Sequence, residues 1–186
     1  GMSYHDILLL NFQEELDWFS RGCSQVAVTE STVGPLLGKT EDSDPPMRYV
    51  INIIRPRSGN DILHTTAVQW IVGSAGGMND KGLCIGQSTV NIKEAPGGGI
   101  MRLTLLRAAL HYCSSVRDAI EFFKTYNMAY NGMNFLVLDP TGDAAVIEKS
   151  STRTGIRRIE GKAIYATNRF FLPHMKEVSK GDCEQS

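Results

Sequence analysis

The hydrophobic pattern of this chain changes period once, at Pro96-Gly97-Gly98-Gly99, and that change limits the folds open to it. Before it, short apolar runs alternate with turn-forming residues, the pattern of strands joined by tight connections. Residues 24–30 read as a strand, Val33-Gly34-Pro35 as a turn, and residues 36–40 as a second short strand. Glu41-Asp42-Ser43-Asp44-Pro45-Pro46 then breaks regular structure. Residues 49–54 and 62–70 read as a hairpin, residues 72–79 as a glycine-dense turn, and residues 82–90 as another strand.

After the glycines, Leu103, Leu106, Leu110 and Cys113 recur at helical spacing, with Arg102 and Arg107 off that stripe. Ser114-Ser115-Val116-Arg117-Asp118 carries a capping pattern and opens a second amphipathic helix through Ala119, Ile120, Phe122 and Phe123. Residues 134–139 and 144–149 flank Pro140-Thr141-Gly142-Asp143 as a hairpin, and residues 163–167 form a further strand. Strands, two helices and strands again predict an α+β domain with helices layered on sheet.

Composition narrows the function. The 186 residues suit one domain, 42% of them are hydrophobic, and the net charge is -1. With no basic excess, nucleic acid is not an expected partner. The longest apolar runs, such as Ile7 to Leu10, are far too short for a membrane span. Cys23, Cys84, Cys113 and Cys183 show no metal spacing, and His64, His111 and His174 form no metal pattern, so no cofactor is expected. Nothing resembling a secretory signal is read, which makes reduced thiols and a cytoplasmic location the expectation. Gly97-Gly98-Gly99 lacks the strand and helix context of a phosphate loop and reads as a flexible rim of a substrate pocket.

The chemistry centres on Gly22-Cys23, where a cysteine follows a glycine and opens an apolar strand. Cutting the bond between them would give Cys23 both a thiol and a free α-amine. An α-amine titrates near ~7.7–8.0, close enough to neutrality to act as the base for its own nucleophile. The competing reading is a small buried hydrophobe at a strand start. On the catalytic reading, residues 1–22 are a tag residue and propeptide, and residues 23–186 form the domain.

Several motifs, in order, resemble the N-terminal nucleophile hydrolases, and among them the acyl-coenzyme A:6-aminopenicillanate acyltransferase family (peptidase class C45), with bile-salt hydrolases as cousins. Residues 6–16 resemble the segment those precursors carry before the scissile bond, and Gly22-Cys23-Ser24 resembles their cleavage and nucleophile site. Gly38-Lys39-Thr40-Glu41-Asp42 resembles a family strand end, Gly77-Met78-Asn79-Asp80-Lys81-Gly82-Leu83 a family turn, and Ala166-Thr167-Asn168 its Thr-Asn turn.

The resemblance implies a four-layered αββα sandwich, incomplete here at its C-terminal end. It implies Cys23 as nucleophile and Asp42 as the group orienting the new α-amine. Lys39, where the family carries Arg, would lie near the thiol, and Asn79 and Asn168 would position the oxyanion or amine. The implied substrate is a small-molecule amide or an acyl thioester such as an acyl-coenzyme A. Two further readings stand beside this one: a catalytically silent αββα domain that binds a small acyl or amino-acid-derived ligand or acts as an interaction subunit, and a fragment that completes its sheet by dimerising through exposed edge strands.

Overall fold

The sequence's alternating runs pair into two antiparallel sheets in a computed structural model that describes residues 3–6, 22–42, 49–67, 73–94 and 97–180. The strands are β1 (Cys23–Val28), β2 (Leu36–Glu41), β3 (Tyr49–Ile54), β4 (Ile62–Ala67), β5 (Gly76–Asn79) and β6 (Cys84–Val90). Helices α1 (Arg102–Tyr112) and α2 (Val116–Thr125) follow, then β7 (Gly132–Leu138), β8 (Ala144–Lys149), β9 (Thr154–Arg158), β10 (Ala163–Ala166) and the short α3 (Pro173–Lys176). One sheet has the order β10-β1-β2, and the other runs β3-β4-β5-β6-β7-β8-β9.

Strand β7 shows how the layers form. All seven of its residues are buried, because both faces of the strand are covered. Phe135 and Val137 pack with Leu105, Leu106, Leu110 and Phe123 from the helices, and the Phe123 and Phe135 rings stack at 4.2 Å. Leu136 and Leu138 point the other way and pack with Ala27, Ile164 and Ala166 of the smaller sheet. Each such large side chain contributes about 1.5–3 kcal/mol on burial. The outer face of the smaller sheet leaves Val26, Leu36 and Tyr165 exposed, and no helix covers it among the described residues.

Helix α2 starts where the capping pattern put it: Ser115 Oγ accepts from Asp118 N at 3.1 Å, and Asp118 Oδ2 accepts from Ser114 N at 3.0 Å. Arg102, expected off the apolar stripe of α1, is only 4% exposed, with Nη1 at 3.4 Å from Thr89 Oγ1. Residues 72–79, expected as a turn, contain the interior strand β5. Its glycines serve close backbone approach, since a Cβ on Gly77 would meet Leu63 O at 2.5 Å. Strand β9 is polar and carries no alternation that would announce it. The ends of two expected segments, residues 68–70 and 43–46, lie outside the described residues, as does most of the expected propeptide.

His64 on β4 is 2% exposed, and neither ring nitrogen has a hydrogen-bond partner among the described residues. Burial, reinforced by the Arg107 and His111 charges on α1, pushes its pKa down to about 4. The folded pKa lies below the unfolded value near ~6.5, so the fold favours the neutral ring. That stability is complete above about pH 6.5 and is lost as pH falls toward 4. Urea unfolding between pH 7 and 4 is expected to lose of order 3 kcal/mol through this group, and His64→Leu should flatten that slope. An unchanged slope in the variant would contradict the assignment.

Candidate active site

Along β1 the residues alternate, with Cys23, Gln25 and Ala27 buried and Ser24 and Val26 exposed. Cys23 therefore faces the space between the sheets. On β2, Leu37, Lys39 and Glu41 are the less exposed set, and the register sets Cys23 opposite Glu41 and Gln25 opposite Lys39. Lys39 Nζ and Glu41 Oε2 form an ion pair at 2.6 Å, each side chain only about 15% exposed.

Asn168 comes to Cys23 because β10 pairs with β1, with Gln25 opposite Ala166, and the chain runs two residues further. Cys23 N donates to Asn168 Oδ1 at 2.6 Å, and Asn168 Nδ2 donates to Thr89 O at 2.8 Å. A buried polar network fixes this turn. Asn134 Nδ2 donates to the carbonyls of Thr167 and Arg169 at 2.8 and 2.9 Å, and Ser88 Oγ donates to Thr167 O at 2.7 Å. Gln25 Nε2 in turn donates to Ser88 Oγ and Asn134 O, both at 3.1 Å. Gln25, Ser88 and Asn134 carry no motif that marks them; the signal they offer is a polar residue inside an apolar run, which is seldom buried without at least one hydrogen bond.

Asp42 meets the residue before the nucleophile. Its N–H donates to Gly22 O at 2.9 Å, and a Cβ on Gly22 would collide with its carboxylate. A side chain at position 22 would therefore require the exposed Asp42 carboxylate to turn aside. Burial pushes the Cys23 thiol up, the Lys39 ammonium and the Asp42 main-chain N–H pull against it, and the Glu41 and Asp42 carboxylates push with it. Lys39 acts in the expected direction, but the outcome is a raised thiol, because burial outweighs it and the Glu41 carboxylate paired with Lys39 pushes the same way as burial. In this state Cys23 is a thiol at neutral pH and needs a base.

Asn79 is committed elsewhere. Its Nδ2 donates to Leu110 O and Cys113 O at 2.9 and 2.7 Å, and its Oδ1 accepts from Lys81 N and Leu83 N, both at 3.1 Å. It ties the β5–β6 turn to the end of α1 and has no free N–H for an oxyanion. Gly97 and Gly99 pack against Ser151 and Asn127, so that loop does not rim the cleft described next. Cys113 is buried, with its thiol pushed up to about 12, and Cys183 lies outside the described residues. No cluster of three metal-ligating side chains occurs among the described residues, and no helix there is long and apolar enough to cross a membrane.

A cleft of about 480 Å³ opens beside the site. Leu37, Lys39 and Glu41 form one wall, and Ile51, Leu63 and Met78 stand on the other. Its size suits a small organic ligand. Cys23 does not line it, but its cross-strand partner Glu41 does.

Two packed antiparallel sheets with helices on one outer face supply three of the four layers of the expected αββα sandwich, and the fourth is absent among the described residues. A mutant of conjugated bile acid hydrolase from Clostridium perfringens superposes with a TM-score of 0.57 at 18% identity, over 76% of this chain and 52% of that one. Penicillin V acylase from Agrobacterium tumefaciens gives 0.48 at 13% identity, over 80% of this chain and 45% of that one. The chain thus spans about half the length of these solved relatives. No curated protein sequence matches it. The family model of acyl-coenzyme A:6-aminopenicillanic acid acyl-transferase matches residues 29–186, and the chain belongs to that family. The match begins just after Cys23, so the geometry above carries the argument for the nucleophile.

Asn134→Ala strips the Thr167 and Arg169 carbonyls of a buried donor. The expected loss is about 1–3 kcal/mol, read as a lower urea midpoint at an unchanged m-value. A midpoint within error of wild type would remove Asn134 from the scaffold of the site.

Proposed function

We propose that the chain is a cysteine N-terminal-nucleophile amidohydrolase or acyltransferase, activated by self-cleavage between Gly22 and Cys23. One observation carries this reading. The backbone nitrogen of Cys23 is held by Asn168 at 2.6 Å, at the head of a strand whose inward face carries the thiol. The contact sets a side-chain acceptor where the α-amine of a cut chain would stand.

After cleavage that nitrogen is an α-amine. It takes the thiol proton as Cys23 Sγ attacks an amide or thioester carbonyl. The protonated amine then delivers the proton to the departing amine or thiol, leaving an acyl-enzyme, and water or an acceptor amine resolves it. Asn168 Oδ1 orients the amine, and the Asp42 carboxylate favours its protonated form. Lys39, paired to Glu41, presents a cation at the polar end of the cleft, suited to the negative charge of a substrate or of the forming intermediate.

The apolar walls of the cleft suit a hydrophobic acyl group on a small-molecule amide or acyl thioester. The family's description makes an acyl-coenzyme A a candidate donor. A cytoplasmic location and a homo-oligomeric state belong to the same proposal. The raised Cys23 thiol fits an uncut chain that waits for its amine.

Intact-protein mass spectrometry of fresh and aged material tests this. The wild type is expected to lose residues 1–22, while Cys23→Ala stays whole and turns over no amide or thioester substrate. An uncut wild type without turnover would overturn the reading in favour of a silent acyl-binding domain.

A further inference from the structure

The peptide bond joining Gly22 to Cys23 is held by both of its polar groups. Its carbonyl oxygen accepts from Asp42 N at 2.9 Å, and its N–H donates to Asn168 Oδ1 at 2.6 Å. We propose that this pair of contacts is the self-cleavage apparatus, with the main-chain N–H of Asp42 as the oxyanion donor and the Asn168 carboxamide as the anchor of the departing nitrogen. The inference rests on the self-cleavage reading above and adds to it the groups that act on the scissile bond itself.

The location explains why Asp42 can serve. It follows the last residue of β2, and its N–H extends the β1–β2 ladder past the end of the strand, onto the carbonyl of the residue before the nucleophile. A ladder donor is fixed by its strand, so it costs no reorganisation when charge develops on the oxygen it faces. Asn79, whose two amide N–H groups are spent on Leu110 and Cys113, is not free to take this part.

The step balances within the chain. Cys23 Sγ bonds to the Gly22 carbonyl carbon, and the oxygen takes up negative charge facing Asp42 N–H. The thiol proton passes to the Cys23 nitrogen. The C–N bond breaks while that nitrogen stays bonded to Asn168 Oδ1, giving a Gly22 thioester on Cys23 and a free amine. Water then hydrolyses the thioester, releasing the Gly22 carboxylate and restoring the thiol. The amine is freed already attached to the side chain that orients it in the mature protein.

The test replaces one backbone amide by an ester. Cell-free translation of the full chain with the α-hydroxy acid analogue of aspartate at position 42 removes that N–H and keeps the side chain. A matching ester at Gly38, in the same strand but away from the scissile bond, controls for a weakened ladder. Cleavage is followed by intact mass against time, and folding by circular dichroism. The Asp42 ester is expected to slow cleavage by roughly 10²–10³-fold, the range for loss of one oxyanion donor, and the Gly38 ester by no more than a few-fold. Wild type that cleaves with both esters equally affected would overturn this inference and leave self-cleavage standing. Wild type that never cleaves would remove both.

Discussion

One hydrogen bond joins residues 145 apart in sequence, from the Cys23 backbone nitrogen to the Asn168 carboxamide, and the site exists because of it. It requires β1 to lie between β2 and β10, so that one neighbour brings Lys39, Glu41 and Asp42 and the other brings Asn168. It also requires the turn after β10 to stand still. Asn134 of β7 and Ser88 of β6 hold that turn from the larger sheet, so the two sheets are coupled at the point where the chemistry is proposed. The apolar layer of Ala27, Leu136, Leu138 and Ile164 supplies the burial that makes this coupling rigid.

Electrostatics give the arrangement a direction in time. With the chain intact, burial and two carboxylates outweigh the Lys39 charge and leave Cys23 protonated. A thiol in that condition is a poor nucleophile toward outside molecules. The Gly22–Cys23 peptide, held on both polar groups, adjoins that thiol in the chain itself. On this account the chain first acts on itself, and the amine it releases then supplies the base that an external substrate requires.

Much of the scaffold was legible in the sequence. The hairpin of β7 and β8 announced itself through turn residues between two apolar runs, and α2 through Ser115 and Asp118, because these signals act over a few residues. Strand β5 was hidden because glycines needed for close backbone approach look the same in sequence as glycines needed for a turn. Arg102 lies off the apolar stripe yet is buried, with Thr89 outside the helix among its partners, a long-range contact that helical spacing does not reveal. At the site, Gly22, Cys23 and Asp42 followed from local chemistry and resemblance, and the structure brings them together with Asn168. Asn79 shared the resemblance, yet its amide went to the carbonyls at the end of α1, a long-range use that spacing does not reveal. The reverse holds for Asn134 and Gln25, whose importance lies in partners that only the folded sheets supply.

The central claim is that the thiol at the head of β1 carries the acyl group. The most direct measurement is to incubate processed protein with an activated ester of a hydrophobic acid, quench in acid, and locate the acyl group by tandem mass spectrometry of peptides. The account predicts a single adduct on the peptide beginning at Cys23, chased off by an added amine or by time. An adduct confined to Cys84, Cys113 or lysines, or none at Cys23 while the ester is turned over, would contradict it.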